Sequence, residues 1–298
     1  MRQRGSVLIA SVWTLSVLFL LSTSLAFYAS VFVRSARERT ELFVSGTVFA
    51  SSVPWMARLF SEDVSAVNDA PGEAWLGTVT VPERWRRDLW IESRDEESKL
   101  NLNSAPGPVL QELFASLKRQ QVFLADESET ARAIVEYRAH KPFEHLEELA
   151  LVGLDAEARE KLKPFVTVYA AKGLAPRVNL NTAPPPVLEA MTRTLPETAG
   201  PVRETILSAL RRAREAGVVF TAEDLAPDRF ASKLGLPRNP ETDAAVATLA
   251  AEFTTDSALI RVEMTYRKRR FAEAVLEPTR DETRVLFWRE RKVALHAA

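Results

Sequence analysis

The sequence has no cysteine, which excludes disulfides, thiolate zinc sites, iron-sulfur ligation and a cysteine nucleophile together. The compartment stays open, because a large core holds an exported domain together without disulfides. Histidine is almost as scarce. His140, His145 and His296 are the three present; they have no ligand-like spacing and read as surface loop and tail. No Gly-x-Ser-x-Gly elbow, phosphate-binding loop or dinucleotide fingerprint occurs, so the sequence offers no enzymatic chemistry. Glycine is sparse, with 10 residues against 17 prolines, which points to stiff connections rather than flexible linkers. Neither sign of charge dominates. The formal net charge of −1 gives no bulk attraction to nucleic acid or acidic lipid. What is present is apolar enough to fold: 46% of the 298 residues are hydrophobic and 27% charged, suited to one large domain or two small ones.

From Ser6 to Val33 no residue is charged. A helix of that length reaches about 42 Å, more than the ~30 Å hydrocarbon core of a bilayer. Only Met1-Arg2-Gln3-Arg4-Gly5 precedes it, while Arg34, Arg37 and Arg39 follow, so basic flanks do not decide orientation. A secretory signal cleaved after Ser24-Leu25-Ala26 is the alternative, but the apolar stretch exceeds the usual ~7 to 15 residues. Beyond the span, Leu42, Gly46, Phe49, Val53, Met56 and Phe60 recur at steps of four and three, so the helix continues as an amphipathic one.

Short β-favouring runs follow at Gly77–Val81 and Asp88–Glu92, broken by Pro82. Next comes an internal repeat. Asn101-Leu102-Asn103-Ser104-Ala105-Pro106-Gly107-Pro108-Val109-Leu110 matches Asn179-Leu180-Asn181-Thr182-Ala183-Pro184-Pro185-Pro186-Val187-Leu188 at eight of ten positions. Each copy reads as a helix start, with Ser104 or Thr182 as the capping hydroxyl and prolines in the first turn. Helical patterns continue from each copy, and Phe220 to Leu225 faintly echoes Phe143 to Leu149. The tail returns to β pattern at Leu259–Tyr266, Arg270–Leu276 and Arg284–Arg289, two hairpins turning near Arg267-Lys268 and Pro278 to Glu282. The predicted fold class is α+β, with helices inserted between β segments.

A basic leader ending in glycine, followed by a long apolar helix that turns amphipathic, resembles the N terminus of type IV pilins and pseudopilins. The resemblance implies cleavage by prepilin peptidase after Gly5 and methylation of Ser6. Ser6 departs from the usual phenylalanine or methionine, and Ala10 stands where the family mostly has glutamate. A carboxylate there is costly in hydrocarbon unless it meets the α-amine of a neighbouring subunit, and a subunit lacking it suits a filament tip. With the Asn-Leu-Asn repeats, the helical insert and the terminal Arg284–Trp288 strand, the whole resembles the general secretion pathway protein K family of minor pseudopilins in type II secretion. The organisation implied is a leader (1–5), a transmembrane helix (6–33), an amphipathic extension with the first β part of the head (34–100), a helical region of helix-hairpin-helix or SAM-like type (101–252) and C-terminal β hairpins (253–298). It further implies single-pass insertion in a bacterial inner membrane with the head in the periplasm. The implied partners are minor pseudopilins I and J, the pseudopilus and prepilin peptidase, without nucleic acid.

The rival reading is a membrane-anchored helix-hairpin-helix DNA-binding protein of the competence-receptor type. Such modules grip phosphate through amides of a Gly-x-Gly turn. Here that turn is Val152-Gly153-Leu154-Asp155, with a carboxylate in place of the second glycine, and the second copy offers Gly200-Pro201, where proline has no amide. The cluster Arg267-Lys268-Arg269-Arg270 reads as a solvated hairpin tip. The run Arg94-Asp95-Glu96-Glu97 has oxygen donors that suit Ca2+, yet reads as a solvated acidic turn. The family resemblance implies calcium in some heads without assigning ligands in this chain.

Overall fold

A computed structural model describes residues 3–62, 69–196, 199–279 and 282–292, with the side chains of residues 3–6 left out. His296 lies outside the described residues. The chain forms two compact units, residues 1–53 and 54–298, and the first helix, α1 (Gln3–Ser61), supplies residues to both.

The first unit is that helix. Its side chains from Val7 to Arg34 are all exposed, large apolar ones such as Trp13, Phe19, Leu25 and Phe32 included. A helix apolar all round and uncovered is suited to lipid, and this one is long and apolar enough to cross a membrane. The hydroxyls of Ser11, Thr14 and Thr23 donate to the carbonyls of Val7, Ala10 and Phe19 at 2.9 Å, and Ser30 donates to Phe27 at 2.7 Å, so these four meet their donors within the helix rather than carrying them unmet into hydrocarbon. Pro54 sits inside the helix and has no amide for the carbonyl one turn back.

In the second unit the last turns of α1 bury Met56 and Ala57, and the Phe60 ring meets Trp75 edge-on at 4.9 Å. The body is a five-stranded antiparallel sheet. Its strands are β1 (Gly77–Val79), β2 (Leu89–Asp95), β7 (Ile260–Tyr266), β8 (Arg270–Pro278) and β9 (Thr283–Lys292), in the order β1-β2-β7-β8-β9. Both C-terminal hairpins lie where the sequence places them. Arg267 and Lys268 take φ of 50° and 56°, the left-handed pair that a tight hairpin turn requires. The sequence pattern ends its second strand at Glu92, but β2 continues to Asp95, which pairs with Ile260.

Between β2 and β7 the chain leaves the sheet and builds two helical repeats. The first runs β3 (Leu100–Asn101), α2 (Gly107–Arg119), α3 (Glu127–His140), a 3-10 turn (Leu146–Val152), α4 (Ala156–Leu162) and β4 (Val166–Thr167). The second runs β5 (Val178–Asn179), α5 (Pro185–Met191), α6 (Gly200–Glu215), a 3-10 turn (Ala222–Leu225), α7 (Pro227–Lys233), α8 (Pro240–Ala251) and β6 (Phe253–Thr254). Each opening strand pairs in parallel with the closing strand of its own repeat, Leu100 with Val166 and Val178 with Phe253. The apolar stripes of α2 and α5, from Val109 to Leu117 and from Val187 to Met191, join one core with Phe220, Phe230 and Phe253. The fold is α+β with the helices inserted in the sheet connection, as the sequence pattern indicates.

Candidate functional site

The repeated asparagines act as latches between distant segments. In the first copy the Asn101 side chain accepts from the Asn103 amide at 2.9 Å and donates to the Tyr169 carbonyl at 2.7 Å. Asn103 then holds Phe143 on both sides, accepting from its amide at 2.8 Å and donating to its carbonyl at 2.9 Å. The second copy reproduces this with Asn179 accepting from the Asn181 amide at 3.0 Å, and Asn181 bonded to the amide and carbonyl of Phe220 at 2.8 and 2.9 Å. The faint echo of Phe143 in Phe220 is therefore a structural equivalence. A primary amide is the side chain that both donates and accepts in one plane, which is why asparagine stands at these positions.

The capping role read for Ser104 and Thr182 is not realised. The N-cap residues of α2 and α5 are Pro106 and Pro184, with no side-chain cap, because the Asn turn spans the intervening residues. Ser104 is exposed, and the Thr182 hydroxyl donates instead to Asp95. Proline suits the cap since the first amides have no helical partner to lose.

The two hairpin turns are also equivalent, though not where the sequence pairs them. Gly153 has φ 86°, its amide and that of Leu154 close on Ala150 and Leu149, and Asp155 caps α4 by accepting from Ala158 at 2.7 Å. In the second repeat Gly235 has φ 65°, its amide and that of Leu236 close on Ser232 and Ala231, and Asn239 caps α8 by accepting from Thr242 at 2.8 Å. Gly200-Pro201 is instead the first turn of α6, where a missing amide costs nothing. At both turns a side-chain oxygen of the chain itself holds the helix-start amides that a phosphate would need.

The acidic run is not a solvated turn. Asp95 and Glu96 are buried, because the helical insert covers that end of the sheet. Glu96 accepts from Lys99 at 2.6 Å, from Nε and Nη2 of Arg261 at 2.7 Å each, and from Thr167 at 2.6 Å. Arg261 also bonds Glu273, which Arg289 meets at 2.5 Å, and Arg289 reaches Glu147 at 2.5 Å. Sheet strands β7, β8 and β9 are thus bolted to the first repeat by a network of alternating charge. Burial would raise the Glu96 carboxyl, but Lys99 and Arg261 outweigh it and hold it at about 2. Burial lowers the Lys99 ammonium to about 8 despite Glu96. A second set of carboxyls has no such cation among the described residues: burial pushes Glu97 up to about 7 and Asp69 up to about 8. Glu97 accepts from the Ala258 amide at 2.5 Å, and Asp69 accepts from Ser257, so both hold the loop that enters β7. Among the described residues no three His, Asp or Glu side chains gather to hold a metal ion.

Of the remaining positions, His140 and His145 are exposed, and the basic hairpin tip is exposed from Arg267 to Arg269, with Arg267 bonded to Asp88 at 3.1 Å. The Gly5 and Ser6 backbone lies in α1, and Ala10 is exposed on that helix.

No family model and no curated protein matches the chain. Among solved structures the fold matches that of a pseudopilin, a structural component of a secretion machine. The match is to the crystal structure of the GspK-GspI-GspJ complex from the enterotoxigenic Escherichia coli type 2 secretion system, with a TM-score of 0.56 at 16% identity, over 88% of this chain and 99% of that one. The likeness is to its minor pseudopilin K, and at this identity it is a likeness of fold.

Proposed function

We propose that the chain is a minor pseudopilin of type II secretion, anchored in the inner membrane by the apolar part of α1 with its head in the periplasm. The observation that supports this is the architecture, an uncovered apolar helix leading into a small sheet whose β2–β7 connection holds a helical insert, together with the likeness of fold over 88% of the chain to a structure of the GspK-GspI-GspJ complex. Its work is steric and assembly-based. The helix packs among other subunits in the membrane, and the head meets partners of the kind named in that complex, GspI and GspJ. Prepilin peptidase cuts after Gly5 and Ser6 becomes the methylated N terminus. The bulk of the insert and Ala10 in place of the usual glutamate support a position at the pseudopilus tip, where no subunit above needs an acceptor for its amine. The helix-start amides held by Asp155 and Asn239 leave the DNA-binding alternative without its phosphate grip.

The test is Ala10→Glu in secreting cells, read by the position of the protein along sheared pseudopili and by a mass spectrum of its N terminus. A buried acid without a partner costs roughly 2.5 to 3.5 kcal/mol at a helix centre and less near the membrane edge. Secretion unchanged or reduced, with the protein confined to one end and Ser6 methylated, is the expected outcome. Enrichment along the shaft with secretion maintained removes the tip assignment, and retention of Met1 removes the pilin reading.

A further inference from the structure

The two edges of the five-stranded sheet are unlike. On one side β1 has three residues, too short to template another strand; on the other β9 has ten, Thr283–Lys292. Among the described residues the backbone from Thr283 to Arg291 bonds only to β8, and its outward amides and carbonyls meet no other described segment. A long open edge that carries Val285, Leu286, Phe287 and Trp288 is a template for strand addition unless something on it prevents pairing. Charge is what the strand carries: Arg284, Arg289, Arg291 and Lys292 against Glu290 alone. Two of these are already committed inside the molecule, Arg284 to Glu277 at 3.2 Å and Arg289 to Glu147 and Glu273. Arg291 instead lies over the Phe271 ring at 4.6 Å, with no carboxylate beside it among the described residues.

We propose that the outer edge of β9 accepts an extended acidic segment of a partner protein as a sixth strand. Backbone bonds supply the attraction, and Phe287 and Trp288, on opposite faces of the strand, give the added strand apolar neighbours. The basic residues choose among occupants. A second copy would set like charges opposite one another along the paired edges, which costs energy in any register near full overlap, whereas a strand with carboxylates at alternate positions meets Arg291 and its neighbours favourably. The register shift between Val275 and Leu276, where β8 and β9 slip by one residue, bends the strand at the Thr283 end and directs pairing to the Phe287–Arg291 half. This surface follows from β9 alone and does not depend on the secretion role.

The experiment is hydrogen–deuterium exchange on the full chain in detergent micelles, with two synthetic ten-residue peptides alternating threonine with glutamate or threonine with lysine. The glutamate peptide is expected to slow exchange across 283–292 about tenfold while β1 and β2 stay unchanged, and the lysine peptide to do nothing. In Arg291→Glu, an exposed change that leaves the buried network intact, the preference between peptides should diminish or reverse. Equal protection by both peptides, or none by the acidic one, overturns the proposal. So does protection of β9 without peptide that rises with protein concentration, since the occupant is then a second copy.

Discussion

Glu96→Gln keeps the shape of a buried side chain and removes the anion that touches both Lys99 and Arg261. Lys99 and Arg261 are 3% and 4% exposed, so water cannot replace the lost charge. Breaking a buried pair by removing one partner costs about 3 to 5 kcal/mol. At roughly 2 to 4 °C per kcal/mol for a domain of this size, the thermal midpoint should fall by roughly 6 to 20 °C. The loss should also depend on pH in a definite direction. Lys99 already titrates at about 8 because of burial, and without Glu96 its affinity for a proton falls further. A lysine whose folded value lies below its unfolded one makes the native state bind fewer protons, so stability rises with pH between the two values. Part of the deficit seen at pH 7 should therefore return at pH 9, as Lys99 becomes neutral. Thermal unfolding of the full chain in detergent, followed by circular dichroism at both pH values, measures this. The double variant Glu96→Gln/Lys99→Met should lie closer to the parent at pH 7. A single variant within about 0.5 kcal/mol of the parent, or one with no recovery at pH 9, would refute the argument that this network holds insert and sheet together.

Asn181→Ala should destabilise by about 1 to 3 kcal/mol by leaving the buried amide and carbonyl of Phe220 unpaired, and Asn103→Ala by less because water reaches its half-buried site; urea titration ranks the two. Asp69 and Glu97 titrate at about 8 and 7 in the fold, above their unfolded values, so the native state holds their protons longer. Their contribution is greatest below about pH 4 and declines as pH rises through 7 to 8, by at most ~1.4 kcal/mol per pH unit for each group. Thermal midpoints should fall between pH 5 and 8.5, and Asp69→Asn should flatten the slope. Duplex DNA should bind no better than to a neutral control protein at physiological salt, which fluorescence anisotropy checks; a sub-micromolar, steeply salt-dependent affinity would revive the basic hairpin tip as a site.

Elements held by local patterns were legible in the sequence. The apolar helix, the Asn-Leu-Asn repeat and the C-terminal hairpins depend on residues within a turn or a strand of one another, and they lie where the patterns place them. The buried network was not legible. Arg261, Glu263 and Thr265 share one face of β7, so strand alternation assigns Arg261 to solvent, and only the insert, packed from far along the chain, makes it buried. The same holds for Glu96, whose Thr167 and Arg261 partners are 71 and 165 positions away. The Asn latches carried a visible signal, their exact recurrence, but a hydroxyl after asparagine looks like a helix cap until the turn between them is counted. The equivalence of Gly153 and Gly235 was hidden because the second repeat has an added helix, α7, before its turn.

Asp95 and Ile260 are neighbours in the sheet, yet the chain between them is roughly 160 residues long. Closing so long a loop costs an unfolded chain about 3 kcal/mol more than a five-residue hairpin does. The parallel pairs β3–β4 and β5–β6 change the order in which that closure is met. Each brings the two ends of its own repeat side by side, so once the repeats have formed, the segment left to close between β2 and β7 is much shorter than the chain itself. The sheet then closes late, and a substitution that slows either repeat should delay strand pairing it never touches. It also means that a repeat could be gained or lost in the history of such a chain as a unit, its entrance and exit already adjacent, with the register of β2 on β7 left as it was.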